Sequence, residues 1–85
     1  MKTNGKYAVE QKEAFEIIRR KCGLRGRQRI TDVWMDGDGY VFGSNAKGGY
    51  GETLTFHYTD AQLAAELGLD ASVVKFDAGK FFAFA

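Results

Sequence analysis

Ile30-Thr31-Asp32-Val33-Trp34-Met35-Asp36-Gly37-Asp38-Gly39-Tyr40-Val41-Phe42 reads as two strands joined by a tight turn. β-Branched and aromatic residues fill both flanks, and Gly37 and Gly39 can supply the positive φ that a short hairpin turn demands. A hairpin in the middle of a short chain needs a helix or further strands to cover its apolar face. The sequence on either side offers both.

Upstream, Ala14, Phe15, Ile18 and Cys22 recur at three- and four-residue intervals, which predicts a helix of about four turns over Tyr7 to Cys22. Glu10 and Glu13 lie toward its positive end, and Arg19, Arg20 and Lys21 at its negative end, in the sense that complements the helix dipole. Gly23 can take the left-handed conformation that ends a helix, with Leu24 folding back on the last turn. Downstream, the stretch from Asn45 to Gly51 has three glycines and no period, so it reads as a mobile loop. Thr53 to Tyr58 alternates, with Leu54, Phe56 and Tyr58 on one face and Thr53, Thr55 and His57 on the other, as a half-buried strand does. Thr59-Asp60-Ala61-Gln62 has capping-box spacing, and a short helix follows it until Gly68. Val73 to Phe76 and Phe81 to Phe84, separated by Asp77-Ala78-Gly79-Lys80, read as a second hairpin. The expected fold class is α+β: a single small domain over residues 1–85, with an antiparallel sheet of three to five strands, two helices and the order α-β-β-β-α-β-β.

Length and composition set the outer bounds. Eighty-five residues and 9.4 kDa fit one core, and 45% hydrophobic residues are enough for that core to form. No apolar run approaches the ~18 residues of a membrane span, and charges throughout the first twenty residues do not fit a signal peptide, so the expectation is a cytoplasmic protein with no membrane partner. Cys22 is the single cysteine and His57 the single histidine, so no internal disulfide, metal site or cofactor is implied.

The net charge of +1 conceals a division of the chain. Residues 1–30 hold nine Lys or Arg against three Glu, a balance of +6, whereas residues 31–85 hold three Lys against eight acids, a balance of −5. Arg19, Arg20, Lys21, Arg25, Arg27 and Arg29 crowd the helix end and the loop after it with no acid between them. Arginine is five of these six, which suits bidentate contact with phosphate or carboxylate. The segment therefore predicts a polyanionic partner, nucleic acid or an acidic protein surface. Lys47 and Tyr50, in the glycine-rich stretch, are candidate additions. Tyr40, Tyr50 and Trp34 could stack on bases if exposed, although Trp34 reads more naturally as core. The aromatic C-terminal hairpin offers a route to a homodimer through a strand edge.

No reaction chemistry assembles from the remaining residues, so the expectation is a protein that is not an enzyme. Asp36-Gly37-Asp38-Gly39 has the alternate aspartates of a calcium loop, but Tyr40 occupies the third ligand position. Gly43 to Gly49 has phosphate-loop glycine spacing, but Gly49 stands where the lysine should be and no Ser or Thr follows. His57 lies on a polar strand face without an assignable carboxylate partner, and Cys22 lines up with Ile18 and Phe15 as a structural thiol.

Two family resemblances can be traced. Gln62 to Val74, with its Leu63-Ala64-x-x-Leu67-Gly68 pattern, resembles the core of a helix-turn-helix, which would imply a second, groove-entering helix after Gly68; Asp70 and Asp77 in that segment would meet phosphate repulsion. The order α-β-β-β-α is similar to that of double-stranded RNA-binding domains, although Thr59, Asp60 and Glu66 stand where those domains carry a lysine cluster. The function expected from the residues is a small binding module that holds a nucleic-acid backbone through Arg19 to Arg29; the alternative is a small regulator or inhibitor docking on an acidic or nucleic-acid-binding protein surface.

Overall fold

Gln11–Lys21 forms the first helix (α1), shorter than the predicted span because Val9–Glu10 is drawn into a strand (β1). The computed structural model describes residues 8–37, 39–69, 71 and 73–84, so the expected start at Tyr7 lies outside the described residues. The remaining elements are β2 (Ile30–Asp36), β3 (Gly39–Lys47), β4 (Thr53–Thr59), α2 (Asp60–Glu66), β5 (Val73–Asp77) and β6 (Lys80–Phe84). The class is α+β as expected, with the strands divided into two three-stranded antiparallel sheets, β2-β3-β4 and β1-β6-β5.

Both helices end as their glycines predict. The Leu24 amide donates to the Arg19 carbonyl and the Gly23 amide to that of Arg20, with Gly23 at φ +75°, the Schellman closure. Leu69 and Gly68 repeat the arrangement at the end of α2. Thr59 and Gln62 form a complete capping box at the start of α2. At α1 no side chain caps the N-terminus; instead the Gln11 amide donates to the Gly79 carbonyl in the β5–β6 turn at 2.8 Å. That bond ties the start of the chain to its end, as does Lys80 beside Glu10 at 3.8 Å across the β1–β6 ladder.

One core serves both sheets. Phe42 of β3 meets Phe15 of α1, Tyr58 of β4 and Phe81 of β6, with ring centroids 5.8–6.0 Å apart. The Tyr40 hydroxyl crosses between the sheets to donate to the Val74 carbonyl at 2.8 Å. Ala14, Ile18, Leu63 and Ala64 bring the helices onto the same cluster. Helices and second sheet all pack on one face of β2-β3-β4. Its other face carries Asp32, Gly43 and Thr55 in one row, Trp34, Val41 and His57 in the next, and Asp36, Gly39 and Thr59 in the third.

Gly39 is needed for space: a Cβ there would collide with the Tyr58 carbonyl oxygen in the neighbouring strand. Gly39→Ala is expected to destabilise the protein by about 1–3 kcal/mol, the range for overpacking. Gly49→Ala, with no atom within 4 Å of the new methyl, should change stability by less than about 0.5 kcal/mol. Urea unfolding of the two variants checks the contrast; equal midpoints would contradict it.

The second hairpin forms as expected, Val73–Asp77 pairing with β6 as a strand, so the groove-entering helix that the helix-turn-helix resemblance would imply does not form there. One expectation is corrected. The stretch 45–51 is not a free loop, because Asn45–Lys47 extends β3 and Ala46 is buried in the core. Asp38, Asp70 and Ser72, part of the sequence patterns above, lie outside the described residues.

Candidate nucleic-acid interface

The six cations of the basic segment fall into three groups: Arg19 and Arg29 bond to backbone oxygens of the loop, Arg20 lies beside an acid, and Lys21, Arg25 and Arg27 do neither. Arg19, in the last turn of α1, donates from Nε to the Gln28 carbonyl at 2.8 Å and from Nη2 to the Gly26 carbonyl at 3.0 Å. Its guanidinium therefore satisfies backbone oxygens of the loop after the helix and holds that loop against α1. Arg20 lies 3.8 Å from Glu16 one helical turn before it, so its charge is partly matched within the helix. Arg29 folds its Nη1 onto the Arg27 carbonyl and lines a groove of about 530 Å³ that also includes Glu10, Phe15, Glu16 and Ile30.

Lys21, Arg25 and Arg27 form the third group. All three are exposed, and among the described residues their charged groups have neither an acidic partner nor a hydrogen bond. The backbone that carries them is nevertheless fixed. The Gln28 side chain accepts from the Arg25 amide at 3.1 Å, Asn45 Oδ1 accepts from the Arg29 amide at 2.8 Å, and Asn45 Nδ2 donates to the Arg27 carbonyl at 3.0 Å. Asn45, which sequence reasoning placed in a loop and gave no role, is the clamp that joins the basic loop to β3. No pattern in the sequence marks it, because its partners are backbone atoms sixteen and eighteen residues away.

Lys47 stands two residues beyond Asn45 on the same strand, at the same end of the sheet as Arg27, and its Nζ is 3.4 Å from Thr53 Oγ1. Tyr50 is 98% exposed at the tip of the β3–β4 turn. That turn is closed by the Gly48 amide on the Glu52 carbonyl at 2.7 Å, and Glu52 also accepts from the Tyr50 amide at 3.2 Å. The structure thus brings Arg27, Lys47 and the Tyr50 turn to one end of β2-β3-β4.

The aromatic candidates separate sharply. Tyr40, 4% exposed, is core and cannot stack on a ligand. Trp34, expected in the core, is instead 47% exposed, because its register with Val41 and His57 puts it on the sheet face that neither helix covers. A Cβ on Gly43 would lie 3.1 Å from Trp34 Cζ3 and 3.5 Å from Cη2, so the six-membered ring rests against the bare Cα of Gly43.

His57 and Cys22 take the placements their alternation suggested. His57 is exposed on the outer face, with Nδ1 3.7 Å from Asp36, a solvated contact of small energetic weight. Cys22 Sγ shares a hydrogen bond with the Tyr58 hydroxyl at 3.3 Å beside the core. Burial first, and then that bond, pushes the Tyr58 hydroxyl above its ordinary range. Burial, reinforced by the charge of Asp60, raises Tyr40 as well. Both phenols therefore remain protonated at neutral pH.

Among the described residues no three His, Cys, Asp or Glu side chains gather as metal ligands, and no helix is long and apolar enough to cross a membrane. No family model, curated protein or solved structure matches the chain.

Proposed function

We propose that the protein is a small, non-enzymatic module that binds a nucleic-acid backbone through Lys21, Arg25 and Arg27, with Lys47 continuing the cationic track. The observation that carries this reading is the use of Arg19: one guanidinium is committed to immobilising the loop, while Lys21, Arg25 and Arg27 have no acidic partner among the described residues. Unpaired cations on a fixed backbone suit a repeating anion, because side-chain freedom is lost when the phosphates arrive but the loop itself need not be ordered. Asp36 lies at the end of β2 away from the basic loop, which disfavours a polyanion there.

An acidic protein surface would satisfy the same cations and is the alternative. Purified protein titrated into random-sequence RNA, DNA and polyglutamate separates the two. The expected result is saturable binding to nucleic acid that survives an equal charge of polyglutamate; binding to polyglutamate alone would favour the protein partner. Self-association through the C-terminal hairpin, if it accompanies either mode, has to spare Val74 on the β5 edge, whose amide donates to Asp60 and whose carbonyl accepts from Tyr40. Cytoplasmic residence belongs to this same reading.

A further inference from the structure

We propose that Trp34 is a stacking platform for an unpaired nucleobase, so that the nucleic acid this protein prefers is single-stranded. This inference rests on the reading of the cationic loop as a backbone-binding site and specifies its partner. Three observations carry it. First, Trp34 stands on the one sheet face that helices and second sheet leave open, and remains 47% exposed. Second, the ring is seated: Gly43 opposite it has no Cβ, and a methyl there would intrude on Cζ3 at 3.1 Å and on Asp32 Oδ1 at 2.8 Å. The outer edge of the six-membered ring is thereby held against Gly43, while about half of the side chain remains presented to solvent. A ring held in this way loses little freedom when a base stacks on it, and stacking is sequence-tolerant because every base has a π-face.

Third, cations lie within reach of the ring at one end of the sheet. Lys47, Thr53 and Asn45 lie toward the loop end of the sheet, beside Arg27, whereas Asp36 lies one row toward the opposite end; His57 shares the row of Trp34, and Asp32 stands in the row between the ring and the loop end. A strand whose phosphates follow Lys47 and Arg27 can place a base on Trp34 without bringing its backbone over Asp36. Lys47 lies four residues beyond Gly43 on a strand that bulges between them, four steps of β3 facing two of β4, so ring and cations can serve one short oligonucleotide. The exposed Asp32 carboxylate and Thr55 hydroxyl, in register with Gly43, can accept hydrogen bonds from base amino groups. A duplex keeps its base faces stacked inside and cannot use the indole.

Trp34 is the only tryptophan in the chain, so its emission reports the site directly. The test is to titrate the full chain with oligouridylate and oligothymidylate of about ten nucleotides, and with a duplex of matched length, following tryptophan emission and the anisotropy of labelled oligonucleotide. Expected are quenching by the single strands and not by the duplex, a loss of about 5- to 150-fold in single-strand affinity for Trp34→Ala, and partial retention for Trp34→Phe. The salt dependence of Trp34→Ala should match the parent, because stacking releases no counterions. Oligonucleotide binding that depends on Arg25 and Arg27 but leaves the emission and Trp34→Ala affinity unchanged would overturn the platform and leave the backbone site standing. Quenching by a neutral oligosaccharide, with none by oligonucleotide, would overturn it in favour of a sugar-stacking ring. Failure of every nucleic acid to bind would remove both readings.

Discussion

Removal of residues 81–85 is expected to unfold the protein outright. Phe81 is fully buried, stacks among Tyr40, Phe42 and Phe76, and belongs to the middle strand of the sheet β1-β6-β5. Losing β6 therefore leaves β1 and β5 without a partner strand as well as opening the core. The milder Phe81→Ala alone should cost about 3–5 kcal/mol, against a total stability of about 5–15 kcal/mol for a domain of this class. Circular dichroism and thermal melting check both variants. A truncated chain that keeps its melting temperature and loses only self-association would show that the hairpin is an assembly edge and not part of the core.

The second large effect is on binding. Double reversal of Arg25 and Arg27 to glutamate should weaken nucleic-acid affinity by about 60-fold or more at 0.1 M salt. Counterion release makes affinity on duplex vary as roughly the −0.9 power of salt per neutralised phosphate, about 8-fold for each at 0.1 M relative to a 1 M reference. Abolishing two such neutralisations accounts for the factor, and the new repulsion between glutamate and phosphate adds to it. Lys75→Glu with Lys80→Glu is the matched control: these residues lie on the β5–β6 hairpin, and Lys80 is already beside Glu10. Affinity measured by anisotropy should fall strongly for the arginine pair and little for the lysine pair. Equal losses would mean that only total charge matters.

Local signals carried the fold far. The glycine closures after Cys22 and Leu67, the capping box at Thr59 and both hairpins were legible because each depends on residues close in sequence. What stayed hidden was the arrangement of distant parts. Val9–Glu10 has too few residues to show a period, and becomes a strand only because Phe81 and Lys80 offer backbone partners. Alternation put Trp34 on one face of β2 but could not say that every covering element packs on the other. Arg19 looked like a free cation, and only the folded loop supplies the Gly26 and Gln28 carbonyls that occupy it. The basic segment was thus visible as a composition, and its division into clamp, ion-paired and displayed arginines was not.

The salt dependence of affinity tests the central claim most directly. If Lys21, Arg25, Arg27 and Lys47 each neutralise one phosphate, the plot of log K against log salt for the unaltered protein should have a slope of about −3.6 on duplex, or about −2.8 on a single strand. With Arg25→Glu and Arg27→Glu together, the slope should fall to about half of that value. A slope near zero, or one that the two reversals leave unchanged, would contradict the assignment of the displayed cations to a nucleic-acid backbone.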